Sequence, residues 1–66
     1  MKNVISYLTG TIIGTGKGYF SLQDKSTIWK VEYKQPVNIG SHVKVFGSLR
    51  YVNSYLTIVA SRVVDS

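Results

Sequence analysis

Every extended segment of this chain is short and ends at a glycine or another turn-forming residue. Valine, isoleucine, threonine and aromatic residues dominate these segments, alanine occurs once, and no window shows the 3.6-residue apolar period of an amphipathic helix. A chain of 66 residues has room for one hydrophobic core. The pattern therefore predicts one all-β domain over residues 1–66, interrupted by the breakers Gly14, Gly16, Gly18, Asp24, Pro36, Gly40, Gly47 and Asn53.

Five strands follow from the alternation of apolar and polar residues. In the second strand, for example, Phe20 and Leu22 lie in one phase, while Tyr19 and Gln23 lie in the other. Turns or loops are predicted at residues 14–18, 24–26 and 50–54, and a short loop without a helix passes through Pro36. The predicted strands span residues 4–13, 19–23, 27–33, 42–49 and 55–64.

These five strands are expected to close into a barrel. No helix is evident that could cover an open sheet, and closure removes the unpaired edges that a small sheet leaves exposed. Gly10 and Gly47 lie inside predicted strands, where glycine is unfavourable unless the strand bends or another backbone comes close. We therefore predict a small five-stranded barrel with little or no helix.

The charge of the chain favours an acidic partner. Eight Lys and Arg residues against three Asp and Glu residues give a net charge of +5, which attracts polyanions such as nucleic acid. The chain has no cysteine, one histidine (His42) and no convergent pair of acidic residues, so we expect no set of residues for general acid–base, nucleophilic or metal chemistry. We expect no enzyme activity, no cofactor and no membrane span, and we expect a cytoplasmic location.

Several segments, in this order and spacing, resemble the OB-fold (oligonucleotide/oligosaccharide-binding) nucleic-acid-binding family, in particular its anticodon-binding and replication-protein-A-like branch. The resemblance covers nearly the whole chain, although many members carry a helix where this chain has only residues 34–39. It implies an OB barrel whose ligand groove is bordered by the loops between strands one and two and between strands four and five. The segments are residues 10–12 (GTI), 18–24 (GYFSLQD), 29–31 (WKV), 40–47 (GSHVKVFG) and 56–60 (LTIVA).

The candidate binding residues combine cations with aromatic rings. Single-stranded nucleic acid stacks its bases on rings, while Lys and Arg follow the phosphate backbone. On the outward phases of strands two, three and four the candidates are Tyr19, Gln23, Lys30, Lys44 and Phe46. In the bordering loops they are Lys17, Arg50, Tyr51 and Tyr55.

The sequence position of Trp29 is compatible with two orientations of its side chain. It shares the phase of Val31 and Tyr33, which favours the core, yet tryptophan is also a strong stacking residue and is bulky for a small interior. The sequence is compatible with both orientations, and Trp29 is a candidate binding residue in the second.

The sequence favours a sequence-tolerant binder of single-stranded DNA or RNA. Two alternatives use the same barrel. In the first, exposed Ile28, Phe46 and the tyrosines form an apolar patch for a protein partner or a second copy of the chain. In the second, the aromatic residues bind an oligosaccharide, which does not require the positive charge. DNA and RNA, and single strand and duplex, are not distinguished by these residues.

Overall fold

The computed structural model describes residues 4–52 and 55–66, with the side chains of residues 4–6, 52 and 55 outside that description. Five strands form one closed barrel in the order β1-β2-β3-β5-β4, and every neighbouring pair is antiparallel except the parallel pair β3–β5. The described residues contain no helix, and so none that could span a membrane. The fold is a small five-stranded OB-type barrel, as predicted. Its strands are β1 (Val4–Gly16), β2 (Tyr19–Asp24), β3 (Thr27–Glu32), β4 (His42–Val52) and β5 (Tyr55–Asp65).

Two predicted turns are shorter in the structure. Strand β1 continues to Gly16, which pairs with Tyr19, so the predicted turn at residues 14–18 shrinks to Lys17 and Gly18. Strand β4 continues through Arg50 and Tyr51 to Val52, where a loop was predicted from residue 50. In both cases backbone pairing with the next strand outweighs the weak strand preference of the local residues.

The core consists of side chains that the alternation of apolar and polar residues places on the inner side of each strand. Phe20, the largest of these side chains, is almost completely buried. Leu56 shares the phase of Ile58 but stays 37% exposed, because it pairs with the exposed Tyr51 near the tip of the β4–β5 hairpin. The buried apolar residues are Ile12, Phe20, Leu22, Val31, Val43, Val45 and Ile58.

Gly10 and Gly47 mark close approaches between strands, as their position inside strands predicts. A Cβ atom on Gly47 would lie 2.2 Å from the carbonyl oxygen of Val59, and one on Gly10 would lie 2.5 Å from that of Gln23. At Gly47 the β4–β5 register also shifts, and the Ser61 hydroxyl donates a hydrogen bond to the Phe46 carbonyl at 3.2 Å. A register shift of this kind is a β-bulge. A bulge bends the strand, and a small barrel needs bent strands in order to close.

The segment between β3 and β4 covers one end of the barrel without a helix. The backbone N–H of Ile12 donates to the carbonyl of Ser41 at 2.9 Å, and the N–H of Gly40 donates to the carbonyl of Ile12 at 2.7 Å. Tyr33 and Val37 pack against the core from this segment. Hydrogen bonds to β1 and two apolar side chains thus take the place of the helix found in many OB domains.

Candidate nucleic-acid interface

The strand register places Lys30 and Arg50 on one outer surface of the barrel. Lys30 of β3 pairs with Thr57 of β5, and Thr57 pairs in turn with Arg50 of β4. Paired residues point to the same side of a sheet, and neighbouring strands are about 4.8 Å apart. The two exposed cations therefore flank the buried Thr57, two strand spacings or about 10 Å from each other. On the other side of Lys30, the paired residue is Ser21 of β2.

Tyr19 joins this row through a direct contact with Lys30. The Lys30 Nζ lies 4.8 Å from the centre of the Tyr19 ring, within the range of a cation–π interaction. The Tyr19 side chain is 37% exposed, and Gln23 is exposed further along the same outward phase of β2. We call this group, which consists of Tyr19, Gln23, Lys30 and Arg50, the β2–β3 surface.

The position of the Tyr19 ring depends on Gly16. The two residues pair directly between β1 and β2, and a Cβ atom on Gly16 would lie 2.3 Å from Cζ of Tyr19. Because Gly16 has no side chain, the ring lies against the β1 backbone. Beside it is a cleft of about 380 Å³, lined also by Tyr33 and Lys34, a size within the usual range of ligand pockets.

The β1–β2 turn presents a cation, and the end of strand β4 presents an aromatic ring. Lys17 is exposed in the two-residue turn that precedes Tyr19. Tyr51 is 77% exposed near the tip of the β4–β5 hairpin, where it lines a cleft of about 320 Å³ with Leu49, Arg50 and Leu56. The remaining candidate of this hairpin, Tyr55, has its side chain outside the described part of the structure.

Lys44 and Phe46 do not lie on the β2–β3 surface. The first half of β4 pairs with β1, whereas only its second half reaches the part of β5 that pairs with β3. Lys44 and Phe46 therefore point outward on another side of the barrel. Lys44 Nζ lies 4.8 Å from the Tyr7 ring centre, and the guanidinium carbon of Arg62 lies 4.6 Å from that of Phe46. We call Tyr7, Lys44, Phe46 and Arg62 the β1–β4 surface.

Trp29 belongs to the inner side of β3. It pairs with the buried Leu22, is partly buried and packs against the core cluster. Of the two orientations that its sequence position leaves open, the structure shows the core-packing one.

Sequence reasoning did not identify Tyr7 and Arg62 as candidates. Tyr7 was recognisable from the outward phase of the first strand. Arg62 was not, because the register shift between Phe46 and Gly47 decides which residue of β5 faces Phe46. The bulge that causes this shift has no distinctive sequence signal beyond Gly47 itself.

Comparison with known proteins finds no family model that matches this chain and no curated protein that matches it. The fold is that of a small five-stranded OB-type barrel. Within the described residues, no group of three or more His, Cys, Asp or Glu is arranged to hold a metal ion. The described residues form two surfaces that combine cations with aromatic rings, the β2–β3 surface and the β1–β4 surface.

Proposed function

We propose that this protein binds single-stranded DNA or RNA on its β2–β3 surface, with little dependence on sequence. The observation that carries the proposal is the contact between Lys30 and the Tyr19 ring, in one outward row with Arg50. A base stacks on the ring, and the two cations, which both lie on the β3 side of the ring, bind phosphates along the strand. The net charge of +5 supports the same class of ligand.

The chemistry of the surface favours tolerance of sequence. Every base has a π-face that can stack on tyrosine, and Lys and Arg recognise phosphates that are identical along the strand. Gln23 is the one amide on the surface that can form hydrogen bonds with base edges. The proposal includes a role as a binding module without catalysis, located in the cytoplasm where single-stranded nucleic acid is met.

Replacing Tyr19 with alanine is expected to weaken binding of a fluorescently labelled oligothymidine about tenfold, since one stacked base contributes about 1–3 kcal/mol. Fluorescence anisotropy at low ionic strength gives the dissociation constant. Tyr19→Phe is the matched control, because it keeps the ring and should bind within about twofold of the unchanged protein. If the unchanged protein fails to bind single-stranded DNA or RNA at low salt, the proposed function is wrong.

Replacing Gly16 with alanine tests the position of the ring rather than its presence. The new methyl group would occupy the place of the Tyr19 ring, whose far end can rotate away, so the fold should survive while the stacking platform moves. Binding is expected to weaken about fivefold, a little less than the effect of losing a stacked ring. Gly14→Ala, at a position with nothing within 4 Å of the added atom, is the control. Equal oligonucleotide affinity of the Gly16→Ala and Gly14→Ala variants would show that the position of the Tyr19 ring does not contribute to binding.

A protein-interaction module is the second candidate function. Ile28 is 60% exposed on β3, and the exposed Tyr51 and Leu56 pair with each other at the β4–β5 hairpin. These side chains offer apolar contact area to a partner chain or to a second copy. Sedimentation velocity distinguishes the two functions. Concentration-dependent association in a protein that binds no oligonucleotide would favour the interaction module.

A further inference from the structure

A second row of cations and rings lies on the β1–β4 surface. Its members alternate across three neighbouring strands, with Lys44 over Tyr7, Tyr7 beside Phe46 and Arg62 over Phe46. The Tyr7 and Phe46 ring centres are 6.3 Å apart, and their planes are inclined at 57°. The β1–β4 surface thus contains two cation–ring pairs, whereas the β2–β3 surface contains one, Lys30 over Tyr19.

This row shares no residue with the β2–β3 surface. Lys44 is flanked on β1 by Thr9 and on β5 by Val64, and Phe46 is paired with Arg62. No carboxylate occupies these outward positions in the described chain. Glu32, by contrast, pairs with Tyr19 on the β2–β3 surface. The β1–β4 surface therefore carries its positive charge without an acidic neighbour in its own rows.

The exposure of this row suits a ligand. Tyr7 is 55% exposed and Arg62 is exposed, whereas Lys44 and Phe46 are half-buried between them. Exposed cation–π pairs contribute only about 0.5–1 kcal/mol each, so the cations can leave the rings when phosphates and bases arrive. A polyanion that carries flat aromatic groups complements both the charges and the rings.

We infer that the β1–β4 surface is a second binding site for single-stranded nucleic acid. It shares the ligand class of the proposed function but stands on its own residues. One OB domain occupies about 4–16 nucleotides, so a strand of about 30 nucleotides is long enough to contact both surfaces of one molecule. The barrel measures 33 × 25 × 22 Å, and such a strand would pass around it. Short strands would occupy either surface separately.

Three variants of the full chain test the inference, each with its net charge lowered by two. Lys44→Gln with Arg62→Gln changes the β1–β4 surface, and Lys30→Gln with Arg50→Gln changes the β2–β3 surface. Lys25→Glu is the charge-matched control, at an exposed position of the β2–β3 turn that belongs to neither surface. Glutamine keeps an aliphatic stem against the rings, which limits damage to the fold. Thermal unfolding confirms that the variants remain folded.

Two measurements are made with oligothymidines of about 12 and about 30 nucleotides. Affinity comes from anisotropy, and the location of binding comes from amide chemical shifts in ¹H–¹⁵N spectra of the unchanged protein. We expect the Lys44→Gln, Arg62→Gln variant to bind the longer strand about tenfold more weakly than the control, which corresponds to one or two lost contacts. We also expect the amides of Tyr7, Phe46 and Arg62 to shift, including in the Lys30→Gln, Arg50→Gln variant.

The outcomes separate this inference from the proposed function. Shifts confined to β2 and β3, with the Lys44→Gln, Arg62→Gln variant equal to the control, would overturn the second site and leave the first. Shifts confined to β1, β4 and β5 would support the second site and overturn the first. An absence of shifts and of binding at low salt would overturn both.

Discussion

The Gly47→Ala variant is expected to lose about 2–3 kcal/mol of unfolding free energy, the cost of forcing atoms into a packed position. The added Cβ atom would lie 2.2 Å from the carbonyl oxygen of Val59 and 2.9 Å from Cα of Ala60. Both are backbone atoms of the paired strand, so they cannot rotate away as a side chain does. A domain of 66 residues has a total stability of about 3–10 kcal/mol, and the loss is a large part of it. Urea denaturation measures the change.

Gly14→Ala is the matched control for this prediction. Gly14 also lies in a strand, beside the register shift in β1, but an added Cβ atom there has nothing within 4 Å. Alanine loses less conformational entropy than glycine on folding, so this variant should be as stable as the unchanged protein or gain about 0.5–1 kcal/mol. Equal stability of the Gly47→Ala and Gly14→Ala variants would contradict this prediction. It would mean that the backbone at the β4–β5 bulge moves at little cost to make room for the added Cβ atom.

The fold was predictable from sequence because strand periodicity is a local property. Phe20, Leu22 and Val31 are inward by alternation alone, and the structure buries all three. Strand ends were less predictable, since Gly16 and Arg50 continue their strands only through pairing with Tyr19 and Thr57. That pairing depends on the residues of the partner strand, and the strand propensity of a local segment gives no information about them.

The grouping of the candidate residues depends on long-range register and was only partly predictable. Tyr19 and Lys30 were both assigned to outward phases, and the structure brings them into contact. Lys44 and Phe46 were outward too, but in a closed barrel every strand has an outer face, and those faces point in different directions. Phase therefore indicates which side chains are exposed, whereas strand order decides which of them share a surface.

Binding of single-stranded nucleic acid is expected to weaken steeply with salt, and the slope counts the cations involved. Each phosphate neutralised by Lys or Arg on a single strand contributes about −0.7 to the slope of log affinity against log salt. If Lys17, Lys30 and Arg50 are the contacts, the slope is about −2, and affinity falls about 20-fold between roughly 50 and 200 mM salt. Anisotropy titrations with a strand of about 12 nucleotides measure this value.

A longer strand tests whether Lys44 and Arg62 take part as well. With both surfaces engaged, a strand of about 30 nucleotides should show a slope near −3.5, and a fall of roughly 100-fold over the same salt range. The Lys44→Gln, Arg62→Gln variant should return the slope of the longer strand to about −2, because it removes two of the five contacts. A slope near zero for both lengths would contradict phosphate binding altogether. Slopes of about −2 for both strand lengths in the unchanged protein would restrict binding to one surface. Each cation that neutralises a phosphate releases counterions and makes the slope steeper, so a second bound surface would be detected.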